Sequence, residues 1–318
     1  MKIAFHSNQL GIRGTEIALY DYAYYNREIL GNESVIISDA NTDLTTLDKF
    51  KLEFEVLLYN DFVEVHEFVK QHNIDGIYYI KSGQWDGKLV PGIRNMVHAV
   101  FQLNQPHGDV YSYNSAWVAE KMTGNRDNFV PHIVDILKYD HDANYREVLD
   151  IPEEATVFGY YGGHTSFNIE FAQKAVSDVA LNNPNIFFLF MNVEPFCNLS
   201  NVIFTAGTTD YGKKIGFINT CDACIHARNG GESFGLTVAE FSSKNKPVIT
   251  TTYCTEALCD MAHIEMLGDR AIIYNDYNDL VKILTNFSNI TNNKTDWNSY
   301  TNYTPTIVMK QFKKIFLQ

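Results

Sequence analysis

The sequence predicts an α/β protein of two domains, each built on a parallel sheet. Short apolar runs that read as strands alternate with segments of helical periodicity along most of the chain. No hairpin signal joins consecutive strands, so each strand leads into a crossover, as parallel pairing requires. At 318 residues the chain is long enough for about two domains of ordinary size.

Residues 2–6 (KIAFH) read as a buried first strand. The loop SNQLGIRG ends at Gly14, and TEIALYDYAYYNREI follows with helical periodicity, Thr15 standing where it could cap the helix. Residues 34–38 and 54–58 read as the second and third strands, DFVEVHEFVKQHN as a helix and IDGIYYI as a fourth strand. Residues 96–103 (MVHAVFQL) read as a fifth strand that ends in NQPHGD. His107 thus follows a strand on the edge where ligands of parallel sheets collect. A lone loop histidine is also often only a surface residue, and both readings stand. SYNSAWVAEKM reads as a helix.

In the second half a helix is expected over about residues 167–182, then strands at NIFFLFM and NVIFTA and a short helix at YGKKIGFINT. DACIHA leads as a strand into the stretch that organises the chain, HARNGGESFGLTVAEFSSKNKPVITTT, residues 226–252. A turn on Asn229, Gly230 and Gly231 precedes Glu232 and Ser233. FGLTVAEFSS has the pattern of a helix, and PVITTT that of the next strand. Beyond it, TEALCDMAHIEMLGD reads as helix and loop, AIIYND as a last strand and DYNDLVKILTNF as a helix. Residues 288–306 are polar and loop-like, and TIVMKQFKKIFL is a final amphipathic helix. No Gly/Ser-rich linker, repeat or low-complexity tract interrupts this pattern.

The stretch at 226–252 has the physics of an anion site. The first N–H groups of a helix lack intrahelical partners, and the macrodipole makes that end positive. Phe234, Gly235 and Leu236 would present such groups, and Gly235 lets a phosphate approach the backbone. Glu232 stands before the helix and Glu240 about two turns into it, roughly 10 Å away at the helical rise. That span is comparable to the reach from the sugar to the ribose of a sugar nucleotide, and a carboxylate accepts hydrogen bonds from vicinal hydroxyls at either end. Two glutamates eight apart also occur in ordinary αβ units, so spacing alone leaves both readings open.

The wording of the stretch adds to its spacing. ESFGLTVAE followed by KPVIT resembles the E-x7-E signature of family 4 glycosyltransferases. The resemblance implies the GT-B fold, two Rossmann-like domains whose parallel sheets face each other across a cleft. It implies that Glu232 contacts donor-sugar hydroxyls and that the backbone after it, at Ser233, Phe234, Gly235 and Leu236, holds the diphosphate. Glu240 would hold the ribose. NFVPHIVD (residues 128–135) resembles the family's crossing between domains, with His132 where Asn is usual, and places the boundary near Pro131. The expected domains are therefore residues 1–130, on the acceptor side, and 131–304, which binds the nucleotide sugar. The terminal helix, 305–318, would pack back on the first. YREVLDIPEEATVFGYYGG resembles the start of the second domain, an Arg-containing helix and then a strand ending in glycines. The loop at Gly11, Arg13 and Gly14 resembles one that lies near donor phosphate and acceptor, and His107 resembles loosely a histidine close to the donor sugar.

One departure is plain. Relatives carry an Arg after the glycine of the first domain-two strand and a Lys about five residues on, and together they neutralise the diphosphate. Here Gly163 and Asn168 stand near those places. Arg228 and Arg13 are the candidate replacements, since a guanidinium fork suits phosphate oxygens. Arg228 could instead pair with a carboxylate and brace the turn. Lys213 and Lys214 are weaker candidates, expected to face solvent at the start of a short helix.

Composition excludes several classes. A formal net charge of −13 makes nucleic acid and anionic membrane poor partners. No apolar run approaches the roughly 20 residues of a membrane span. MKIAFHSNQ reads as a strand rather than a signal peptide. Five scattered cysteines do not look like a disulfide framework, and a reducing cytoplasm is the default expectation. The Asn-x-Ser/Thr triplets at Asn198, Asn286, Asn289 and Asn302 then reflect an Asn-rich composition. Cys221, Cys224 and His226 have metal-like spacing but no second pair to complete four ligands, and they fall in a strand where Cys packs well. No metal or cofactor is expected. The function that the family resemblance implies is metal-independent, retaining transfer of a sugar from a UDP- or GDP-sugar to a hydroxyl acceptor, a carbohydrate or glycan. The alternatives are a nucleotide-sugar epimerase of the same fold and a non-catalytic sugar-nucleotide-binding module.

Overall fold

The computed structural model describes residues 1–291 and 295–318. The chain divides into two compact units, Met1–Ile133 with Asn302–Gln318, and Val134–Thr301.

The first unit runs β1 (Lys2–Ser7), α1 (Gly14–Glu28), β2 (Glu33–Asp39), α2 (Leu44–Glu53), β3 (Glu55–Tyr59), α3 (Glu64–Gln71), β4 (Gly76–Lys81), β5 (Arg94–Ala99), β6 (Val110–Tyr113) and α4 (Ala116–Thr123). Its six strands are parallel, in the order β3-β2-β1-β4-β5-β6. Both faces are covered, which is why the strands read as near-continuous apolar runs. Ile3, Phe5, Tyr78 and Ile80 point to the face under α1, while Ala4, Ile77 and Tyr79 point to the face under α3, the period-2 alternation of a strand.

The second unit runs β7 (Thr156–Tyr161), α5 (Glu170–Asn182), β8 (Ile186–Met191), β9 (Val202–Thr205), α6 (Tyr211–Thr220), β10 (Ala223–Ile225), β11 (Gly231–Glu232), α7 (Leu236–Ser243), β12 (Val248–Thr250), β13 (Asp260–Met261), α8 (Ala262–Leu267), β14 (Ala271–Ile273), α9 (Tyr277–Thr285) and α10 (Phe287–Ile290). Its main sheet is also six parallel strands, in the order β14-β12-β10-β7-β8-β9. The last helix, α11 (Pro305–Phe312), belongs to the first unit. Pro305 opens it, where a missing N–H has no helical partner to lose. Its Phe312 packs against Phe5 and Tyr22, and Phe316, in a wider π-type turn beyond it, packs against Tyr78.

Several expectations are corrected. Thr15 is not the cap of α1, because the helix begins at Gly14 and Arg13 holds the cap position; the Thr15 hydroxyl instead donates to Glu16 at 2.8 Å. The fifth strand ends at Ala99, four residues early, and α2 and β6 carry no signal strong enough to have been read. The expected Arg-containing helix before β7 is a set of turns. Arg146 explains this: its guanidinium is spent on the carbonyls of Pro152, Glu153 and Ala155 and on Asp222, contacts that a chain reversal supplies and a helix would not. The stretch 288–306 is not all loop, since α10 ends in it and α11 begins in it; its residues 292–294 lie outside the described residues. Five scattered cysteines do not look like a disulfide framework in the sequence, yet Cys254 and Cys259 form one disulfide, while Cys197, Cys221 and Cys224 are free. Among the described residues no helix is long and apolar enough to cross a membrane.

Candidate functional site

In a doubly wound sheet, ligands collect where the strand order reverses, beyond the carboxyl ends of the strands. In the second unit that point lies between β7 and β10. The loops that meet there are the glycine loop after β7 and the stretch after β10. They are tied together: Asn229 N–H donates to Asn168 Oδ1 at 2.8 Å, and Asn168 N–H donates to the Ala227 carbonyl at 3.0 Å. Gly163 lies exposed in the first of these loops, and its carbonyl accepts from the Ser166 hydroxyl.

The turn after β10 is more ordered than a plain loop. Gly231 and Glu232 form a two-residue strand against Asp260 and Met261. Gly231 has φ +68°, and a Cβ there would sit 2.0 Å from the Asp260 carbonyl oxygen, so only glycine fits. Gly235 has φ +82° and precedes α7 directly; a Cβ there would press on the Glu232 side chain at 3.2 Å. The helix therefore starts at Leu236, two residues later than FGLTVAEFSS suggested. Phe234 is a core residue, its ring beside Tyr300. What remains at the mouth is backbone from Ser233 to Leu236 with the Glu232 carboxylate beside it.

Glu232 is bound on both oxygens. Arg228 donates to Oε2 at 2.8 Å, and His226 Nε2 lies 3.4 Å from Oε1. Burial pushes its carboxyl up, but the Arg228 charge and the His226 contact pull it further down, to about 2. Glu232 is therefore an ionised acceptor at any ordinary pH. The same pair raises Arg228 above its ordinary value. Arg228 thus braces the turn through a carboxylate, one of the two roles open for it, and with 38% of its side chain exposed it still presents an edge to solvent.

Glu240 sits in α7 with its side chain turned inward, 5% exposed. One oxygen accepts from the Tyr161 hydroxyl at the end of β7, and the other lies 3.7 Å from Lys214 Nζ. The expectation that Lys214 faces solvent is corrected. The ten-residue α6 lies against the single 3-10 turn Ile136–Tyr139 and β7, and Lys214 falls on its inner side, its ammonium over the rings of Tyr161 and Tyr211. Helical periodicity over so short a segment did not reveal which side was inward. The acidic partner for Lys214 lies 26 residues away, so spacing could not reveal it either.

His226 itself is 1% exposed. Its Nδ1 is 3.0 Å from Thr250 Oγ1, and Thr250 Oγ1 is 3.1 Å from His263 Nε2. Thr250 and His263 carried no signal in the sequence. Cys221 and Cys224 are buried, and burial pushes both thiols up, which suits packing rather than thiolate chemistry.

The sites expected in the first unit lie on the equivalent edge of its own sheet, whose order reverses between β1 and β4. Arg13 and Gly14 stand where the loop after β1 enters α1. His107 follows β5, its ring against Trp85 and Tyr111 and its Nδ1 2.6 Å from the Gln105 carbonyl; burial lowers its pKa. Lys88 donates to Asn8 at 2.9 Å and so bridges the loops after β4 and β1, and the buried Lys81 pairs with Asp86 at 2.8 Å. These four had not been singled out in the sequence.

No protein-family model and no curated protein matches the sequence. Solved structures do. HepE from Anabaena, in complex with UDP and glucose, superposes with a TM-score of 0.75 at 15% identity, over 99% of this chain and 98% of that one. A glycosyltransferase from Rickettsia africae gives 0.72 at 15% identity, over 99% and 97%. A Listeria monocytogenes protein assigned as a UDP-N-acetylglucosamine 2-epimerase gives 0.62 at 10% identity, over 99% and 96%. The chain has the fold of GT-B glycosyltransferases, two six-stranded parallel sheets with interleaved helices. An epimerase shares it, so the fold by itself does not choose between transfer and epimerisation.

Proposed function

We propose that the chain is a retaining glycosyltransferase of the family 4 type, which moves a sugar from a UDP- or GDP-sugar to a hydroxyl of a carbohydrate acceptor without metal. The observation that carries this reading is the folded E-x7-E unit: Glu232, held ionised by Arg228 and His226, stands beside the start of α7 at the reversal point of the sheet. In this reading Glu232 accepts hydrogen bonds from donor-sugar hydroxyls. The backbone from Ser233 to Leu236 and the outer edge of Arg228 receive the charge that develops on the leaving diphosphate, a preorganised field facing it as the bond breaks. Gly163 lets the loop after β7 approach the same group, and Glu240, whose oxygens already meet Tyr161 and Lys214, takes the ribose only by releasing one of them.

A thermal-shift screen against UDP, GDP, ADP and their common sugars tests the first half, because a ligand that prefers the native state raises its melting temperature. One base should shift it selectively. The sugar nucleotide of that base is then incubated with and without hydroxyl acceptors. Release of nucleoside diphosphate together with a glycosylated acceptor is the expected result. Conversion of the donor to an epimer without acceptor would establish the epimerase instead, and binding with neither outcome would establish a non-catalytic module.

A further inference from the structure

Three side chains that the E-x7-E reading does not use form a hydrogen-bonded chain that ends on Glu232. His226 follows β10, Thr250 ends β12 and His263 stands in the first turn of α8. All three are buried, at 1%, 0% and 0% exposure. Their backbones are fixed by neighbours: His226 N–H donates to the Ile249 carbonyl at 2.8 Å, the Tyr274 hydroxyl donates to the His226 carbonyl at 2.9 Å, and Tyr274 N–H donates to the Thr250 carbonyl at 2.9 Å. The rings of His226 and His263 lie 4.8 Å apart.

The direction of the chain follows from the carboxylate at its end. An ionised carboxylate only accepts, so the one-proton form of His226 carries its hydrogen on Nε2, toward Glu232 Oε1. Nδ1 of that ring is then an acceptor, and the Thr250 hydroxyl donates to it. Thr250 Oγ1 in turn accepts from His263 Nε2–H. The remaining atom, His263 Nδ1, is then the unprotonated one; it makes no hydrogen bond of good geometry among the described residues, although the Glu232 backbone lies beside this ring. The opposite direction would aim a lone pair of His226 at the carboxylate. Burial holds His263 at about 3, so it stays a neutral ring in this chain.

We propose that His226, Thr250 and His263 are positioning residues: a fixed-direction relay that aims the Glu232 carboxylate at the donor sugar, so that its free lone pairs, and not its location alone, are specified. This rests on the reading of Glu232 as the sugar contact. The relay acts on the sugar half of the donor and leaves the nucleotide half alone. That separates it from a merely structural role, which would weaken both together.

The test is the ratio of the dissociation constants of UDP and UDP-glucose, with GDP and GDP-mannose as the second pair, measured by calorimetry on the full chain. In Thr250→Val the relay hydroxyl is lost at nearly constant volume. The ratio should move about fivefold toward weaker sugar recognition, the scale of one buried hydrogen bond, with the bare diphosphate bound within about twofold of wild type. Thr250→Ser keeps the hydroxyl and should restore the ratio. Where the valine variant does not fold, His263→Leu is measured in its place, with His263→Gln as the conservative rescue. An unchanged ratio in Thr250→Val or His263→Leu overturns the relay, as does a parallel loss of both affinities. If Glu232→Gln shifts the ratio and these variants do not, the reading of Glu232 stands and the relay falls. If wild type binds neither pair, both fall.

Discussion

The two units have the same sheet topology and place their functional candidates on the same carboxyl-end edge of the sheet, yet they treat charge differently. In the second unit each carboxylate of the motif is held by a cation and a neutral donor: Glu232 by Arg228 and His226, Glu240 by Lys214 and Tyr161. In the first unit the lysines serve as bridges. Lys88 spans two loops to Asn8, and Lys81 holds Asp86, which remains 29% exposed. The difference follows from depth. A carboxylate such as Glu240, 5% exposed, has given up water and needs a protein partner on each oxygen, whereas Asp86 retains water as a partner.

The largest effect expected from this contrast is on stability. Lys214→Met leaves Glu240 buried with Tyr161 alone and should cost about 3 kcal/mol, the scale for breaking a buried ion pair from one side. Lys81→Met, with Asp86 able to take up water, should cost about 1 kcal/mol. Urea unfolding of both variants measures the difference, and equal costs would break the comparison.

The second effect is on the pH dependence. Buried His6 and His98 of the first unit are held down at about 3 and about 4, and His263 of the second at about 3, in each case chiefly by burial. The unfolded chain takes up these protons below about pH 6.5 while the folded chain does not, so stability present above that pH is lost as pH falls toward 4 and 3. The second unit has a further window. Glu232 is lowered from 4.5 to about 2, so its contribution is full above pH 4.5 and lost as pH falls through 2. At pH 6 Glu232→Gln should be about 2–3 kcal/mol less stable than wild type, and that gap should close between pH 4.5 and 2. A gap that stays constant over this range would remove the ion pair from the account.

The smallest effect concerns ligand. Arg228→Met should weaken UDP binding about tenfold more than uridine binding, as loss of a charge-assisted contact to phosphate does. Calorimetry with both ligands reads this. Equal losses for UDP and uridine would assign Arg228 to bracing Glu232 alone and sharpen the contrast between the two edges.

What the sequence by itself determined is whatever is written locally. The buried parallel strands are legible as apolar runs such as KIAFH and NIFFLFM, because a strand covered on both faces needs no polar alternation. The E-x7-E unit is legible because Arg228, Glu232, Gly235 and Glu240 lie within 13 residues, and a single turn and helix set their spacing. Short or weakly patterned elements, α2 and β6, were not legible, since their apolar residues are too few to establish a period. Nor was the disulfide, because two cysteines five apart pair only when the loop after β12 folds back toward β13. The partners of the two glutamates were decided by tertiary structure alone. Tyr161, Lys214, Thr250 and His263 come from β7, α6, β12 and α8 and meet the motif only because parallel pairing brings the ends of those strands to one edge. Burial then requires that each charge meeting there find a partner, and no local pattern in the chain encodes which one it will be.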